Sequence, residues 1–93
     1  MDREGVTQRV LDALGIILVD KSHIRDNATF AEMLLDDDDV QMLLERLEET
    51  FGCQFPQRVR ESARKRPDRV SVPVIVDLIM LMGRDLPGRR LRR

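Results

Sequence analysis

Apolar residues recur along this chain at helical spacing in separate stretches. Val6, Val10, Ala13, Leu14 and Ile17 fall at i, i+4, i+7, i+8 and i+11, which predicts a first helix from about Arg3 to Leu18. The strongest repeat is Val40, Leu43, Leu44, Leu47 and Phe51, one buried face of a second helix. Asp36 or Asp37 is its natural N-cap, and Gly52 ends it. Pro56 opens a shorter third helix, "PQRVRESARK", which buries Val59 and Ala63 and is stopped by Pro67. The long connection "VDKSHIRDNATFAEMLL" between the first two helices carries isolated apolar residues. Ile24, Phe30 and Leu34 are expected to anchor that loop to the core.

The stretch "RVSVPVIVDLIMLMG" has two periodicities. Val70, Val72, Val74 and Val76 alternate as in a strand, but Pro73 would remove a ladder donor from its middle. Ser71 as N-cap, Pro73 in the first turn and Gly83 at the end favour a fourth helix. Asp77 is the one charged residue between Val70 and Gly83, so this helix is apolar nearly all round. That surplus has two readings: a central helix packed on most sides, or a patch covered by a partner or by a second copy in a homodimer. The whole is an all-α, small four-helix bundle, with three longer helices, a short third one and a long first loop. The helical domain spans residues 1–83, and "RDLPGRRLRR" makes residues 84–93 a basic C-terminal tail.

Composition narrows the picture. A length of 93 residues suits one domain with one core. Aromatics make up only 3%, so Val, Leu, Ile and Met must fill that core, which favours packed helices over a β-sandwich. Cys53 is the sole cysteine, which excludes an intrachain disulfide and fits a reducing, cytoplasmic setting. No apolar run approaches the roughly 20 residues needed to span a bilayer. "MDREGVTQRV" has no basic segment followed by an apolar one, so no signal peptide is expected.

The formal net charge of -1 conceals an asymmetry. Residues through Phe51 include 13 acidic and 5 basic side chains, whereas from Gly52 onward there are 4 acidic and 11 basic. A chain so polarised can attract its own other half, a second copy, or two different partners.

The run Asp36–Asp39 is where chemistry would be sought first. Carboxylates at a helix start cap exposed N–H groups and oppose the positive end of the helix dipole. The run lacks the glycine turn and 12-residue ligand spacing of a calcium loop, and successive helical side chains diverge by about 100°. No metal site is expected. Paired-carboxylate catalysis is unsupported too, because nothing buries one acid to split the two pKa values. Cys53 and His23 are isolated from any partner motif, Cys53 at the end of the second helix and His23 in the long loop. The chain is therefore not expected to be an enzyme.

The segment "NATFAEMLLDDDDVQMLLERLEETFGCQFP" resembles the acyl carrier protein family. Phe30, Asp36, Asp39, Leu43, Leu47, Glu48, Glu49, Phe51 and Pro56 match its loop phenylalanine, its Asp-Ser-Leu-Asp motif, its Leu-Glu-Glu-x-Phe helix end and the proline opening its third helix. "SVPVIVDLI" is similar to its fourth helix at Val72, Val76, Asp77 and Ile79, so the resemblance covers residues 3–82. It implies the family's four-helix fold and a relation to fatty-acid or polyketide biosynthesis. It also implies where the prosthetic arm should be. The family's serine carries phosphopantetheine through a phosphodiester, which needs a hydroxyl; Asp37 stands in its place, with Asp38 where leucine follows. No cofactor is expected.

The first functional reading is a non-enzymatic docking module on a carrier fold that has lost its arm. The resemblance implies docking residues at Asp36, Asp39, Glu48 and Glu49, with Asp38 and Glu45 adding charge and Met42 an apolar contact, facing a protein with a basic patch. The second is nucleic-acid or anionic-surface binding through Arg58, Arg60, Arg64, Lys65, Arg66, Arg69, Arg89, Arg90, Arg92 and Arg93. It ranks lower, because from Arg58 onward there is no aromatic side chain to stack on bases, and the acidic half would repel the same polyanion.

Overall fold

Asp2 accepts a hydrogen bond from the Gly5 amide at 2.8 Å and so starts α1, Arg3–Ile17. Asp36 does the same for α2, Asp37–Phe51, followed by the short α3, Gln57–Lys65, and by α4, Val72–Arg84. The computed structural model describes residues 2–84; the tail, with Arg89, Arg90, Arg92 and Arg93, lies outside the described residues. Among the described residues the regular elements are these four helices, and no strand forms. The fold is the expected all-α, four-helix one. α1 packs on α4 and on α2, and α2 packs on α3.

The core follows the helical spacings. Val6, Val10, Ala13 and Leu14 are buried on α1, and Val40, Leu43, Leu44 and Leu47 on α2. Ala63 from α3 and Val72, Ile75, Val76 and Ile79 from α4 join them, and residues outside the helices add to the same cluster. Burying each of the larger aliphatic side chains contributes roughly 1.5–3 kcal/mol. Phe51 does not end the buried face as its spacing suggests: it is half-buried, and Phe55 takes the deep position at 2% exposure. Gly52 explains the change. Its left-handed backbone, φ 65°, closes the helix with its N–H on the Glu48 carbonyl and turns Phe55 back inward.

The long loop is held more firmly than its polar composition suggests. Phe30 is the largest fully enclosed side chain described, and Ala28 and Met33 are buried beside it. Leu34, expected as an anchor, is instead 71% exposed with φ 60°. The reason is a single helix-like turn from Thr29, in which Phe30 and Met33, three apart, face the core and the next residue faces out. Thr29 Oγ1 accepts from the Glu32 amide at 3.0 Å, and the Glu32 carboxylate accepts from the Thr29 amide at 2.9 Å. This reciprocal pair is a capping box outside any regular helix. It also holds the Glu32 carboxyl below its usual range, through the Thr29 N–H first and, less strongly, Arg25.

The double periodicity before α4 corresponds to two pieces of structure. Ser71 pairs with Thr29 in a single antiparallel bridge, with the Phe30 amide donating to the Val70 carbonyl at 2.7 Å and the Val72 amide to the Ala28 carbonyl at 3.0 Å. The extended geometry buries both Val70 and Val72. Pro73 then enters the first turn of α4, where no amide is needed, and Ser71 Oγ accepts from the Val74 amide at 3.3 Å. The helix runs through Gly83 to Arg84 instead of ending at Gly83.

Candidate docking surface on the second helix

The aspartate run has a division of labour. Asp36 Oδ1 accepts from the Asp39 amide at 2.8 Å, and Asp39 Oδ2 accepts from the Asp36 amide at 3.3 Å, a capping box with aspartate at both ends. These two carboxylates are engaged with backbone. Asp37 and Asp38 are exposed, and among the described residues no ion pair involves either.

From Asp38 the helix carries an outward row. Met42, Glu45 and Glu49 follow at spacings of four, three and four residues, so all four side chains share one face. Met42 is 47% exposed, and Ile16 from α1, 63% exposed, lies with it beside an open hollow of about 380 Å³. Glu45 and Glu49 border that hollow together with Arg46. The surface is therefore apolar at its middle and acidic around it, with one arginine among the acids. Ile16 was not singled out in the sequence. Its only signal is negative: it falls off the Val6–Val10–Ala13–Leu14–Ile17 register and is apolar without a core position.

Glu48 does not belong to this row. Its side chain is 16% exposed, and Oε2 accepts from the Phe55 amide at 2.8 Å and from the Arg60 guanidinium. It fastens the α2–α3 turn, and a partner meeting α2 would find it already engaged. Arg60 is withdrawn from the basic set by the same contact. Arg58, Arg64, Lys65, Arg66 and Arg69 are exposed.

The remaining candidates stay apart. Cys53 is half-buried at the end of α2; burial pushes its thiol pKa up, and the Glu48 carboxylate adds to the shift. His23 sits in the loop with Nε2 4.0 Å from the Asp20 carboxylate, far in sequence from Cys53. Asp20 itself is held below the usual carboxylate range by the Ser22 hydroxyl and amide. Among the described residues no three His, Cys, Asp or Glu side chains group as a metal site would need, and no helix is long and apolar enough to cross a membrane. No protein-family model, no curated protein and no solved structure matches this chain.

Proposed function

We propose that this protein is a non-enzymatic docking module that binds a basic protein surface through α2, on a carrier-like fold without a prosthetic arm. The observation that carries the reading is the exposed row Asp38, Met42, Glu45 and Glu49 with Ile16 at its side. An apolar centre gives a contact to bury, and carboxylates around it steer and orient an arginine- or lysine-rich partner. Asp37 is the first residue of α2, where the resemblance to acyl carrier proteins would put the attachment serine. A carboxylate there offers no hydroxyl for a phosphodiester, so docking does not require a loaded arm. The resemblance to acyl carrier proteins points to a partner from fatty-acid or polyketide assembly, whose enzymes meet an acidic second helix in those carriers.

The test is capture from the native host with a tagged full chain, with and without nuclease, recording the bait's intact mass. Carrier-dependent enzymes that survive nuclease, are lost on Glu45→Lys with Glu49→Lys, and accompany an unmodified bait are the expected result. A bait carrying phosphopantetheine would overturn the missing arm, and a nuclease-sensitive set of nucleic-acid proteins would move the function to the basic half.

A further inference from the structure

A second surface has the opposite charge. Between α3 and α4 the molecule opens into a hollow of about 300 Å³ with Val59, Val74 and Leu78 on its apolar side and Arg58, Arg66 and Arg69 on its rim. Leu81, one turn beyond Leu78, is 54% exposed, and Val74 is 39% exposed. Val74, Leu78 and Leu81 stand at i, i+4 and i+7 on one side of α4, with Val74 and Leu81 exposed and Leu78 half-buried between them against the edge of the core. None of the three arginines takes part in an ion pair among the described residues. The carboxylates nearest in sequence, Glu61, Asp68 and Asp77, do not line the hollow, and Asp77 is paired with Arg3.

We propose that this α3–α4 face is a second docking surface whose occupant is an acidic amphipathic helix of another protein. Its apolar row would lie along Val74, Leu78 and Leu81, and its flanking carboxylates would meet Arg58, Arg66 and Arg69. The fit is one of charge and of shape. A concave apolar strip takes the ridge of a helix, and guanidinium groups bind carboxylates through paired N–H donors. A second copy docked by the same face would set arginines against arginines, which opposes the symmetric dimer that the apolar excess of α4 suggests. Nucleic acid matches the charge but not the strip. Phe30 and Phe55 are buried and Phe51 is half-buried on α2, so no aromatic ring on this face can stack on a base. The inference is independent of docking at α2, and together the two faces would make the protein a bridge between a basic and an acidic partner.

The experiment is fluorescence anisotropy on the full chain with a labelled synthetic helix that carries leucines at i, i+4 and i+7 between glutamates. A scrambled peptide of the same composition, phosphatidylserine–phosphatidylcholine vesicles and a single-stranded oligonucleotide serve as competitors. The helix should bind at least about ten times more tightly than its scramble. Leu81→Glu and Val74→Glu should each weaken it by about tenfold or more. Backbone amide shifts should concentrate between Arg58 and Leu81. Circular dichroism melts qualify each variant, and the exposed Leu81 keeps the test valid should Val74→Glu unfold. Equal binding of the scramble, unchanged binding by both variants, or tighter binding of vesicles or oligonucleotide would overturn the proposal. So would a concentration-dependent dimer in sedimentation that Leu81→Glu abolishes, since the occupant would then be a second copy.

Discussion

Glu48 and Arg60 form an ion pair across the turn between α2 and α3, and the carboxylate oxygen that meets Arg60 also accepts from the Phe55 amide. One atom thereby fixes the last turn of α2, the inward course of Phe55 and the start of α3. Glu48→Ala leaves a part-buried amide and guanidinium without this acceptor, and the expected loss is about 2–3 kcal/mol in chemical denaturation. Glu48→Gln keeps a neutral acceptor for the amide and should lose less. Neither substitution should weaken partner capture once the protein is folded, whereas Glu45→Lys with Glu49→Lys should abolish capture and leave the melt nearly unchanged.

The capping box at the head of α2 gives a second expectation. Asp36→Ala should destabilise by about 1 kcal/mol, while Asp36→Ser restores most of it. Asp37→Ser should cost less than about 1 kcal/mol in denaturation, because Asp37 carries no cap and gives up only its interaction with the helix dipole. If Asp37→Ser then gains the mass of phosphopantetheine on incubation with a carrier-protein transferase, the lost hydroxyl is the only barrier to the arm. A mass unchanged by that incubation would show that the surroundings of Asp37 do not suit the transferase and would count against the carrier-like reading.

Two left-handed residues should respond in opposite directions. Gly52→Ala, with no neighbouring atom within 4 Å of an added Cβ, should cost about 1 kcal/mol from backbone conformation alone. Leu34 adopts nearly the same φ with a side chain that is largely in water. Leu34→Gly should stabilise, by up to about 1 kcal/mol, since it removes the conformational cost and little burial. Thermal melts of both variants against wild type decide it.

Acid should loosen the long loop. Glu32 titrates below its usual range in the folded protein, so the folded state gains stability where Glu32 is ionised. That gain is complete above the ordinary glutamate value and is lost as pH falls through the lowered one. Denaturation midpoints of wild type and Glu32→Gln should therefore differ at neutral pH and converge in acid.

Cys53 titrates in the other sense. Its raised pKa keeps the thiol protonated at neutral pH, so iodoacetamide should react with it more slowly than with a solvent-exposed cysteine. The reaction should accelerate only above the ordinary thiol range, and unfolding in denaturant should restore the normal rate.

Much of this fold was legible in the sequence because its helices are locally consistent. The α2 repeat, an aspartate cap at Asp36 or Asp37 and the Gly52 stop follow from spacing and residue type alone, since each acts within one turn; the structure selects Asp36. What failed was decided by contacts across the chain or by a single backbone angle. Leu34 looked like an anchor, yet φ at that residue points it outward. Glu48 looked like one more surface acid, and only the fold reveals that Phe55 and Arg60 converge on it. The Thr29–Glu32 box was readable as Thr-x-x-Glu but lay in a loop with no helix to start. Of the exposed row on α2, Met42 followed from its place off the buried face, Glu49 from the resemblance and Glu45 as added charge nearby, whereas Ile16 required knowing that α1 ends beside α2.

The bridge between Thr29 and Ser71 has a consequence for how the molecule opens. Loops between helices usually exchange their amide hydrogens with solvent long before the helices do. Here the Phe30 and Val72 amides donate across some forty residues of chain, with Phe30 wholly enclosed beside them. Neither amide can reach solvent until the loop leaves α4, and that movement also uncovers the centre of the core. These two hydrogens should exchange at the rate of global unfolding. The long connection, the least regular part of the molecule, would thus be among the last parts to let go.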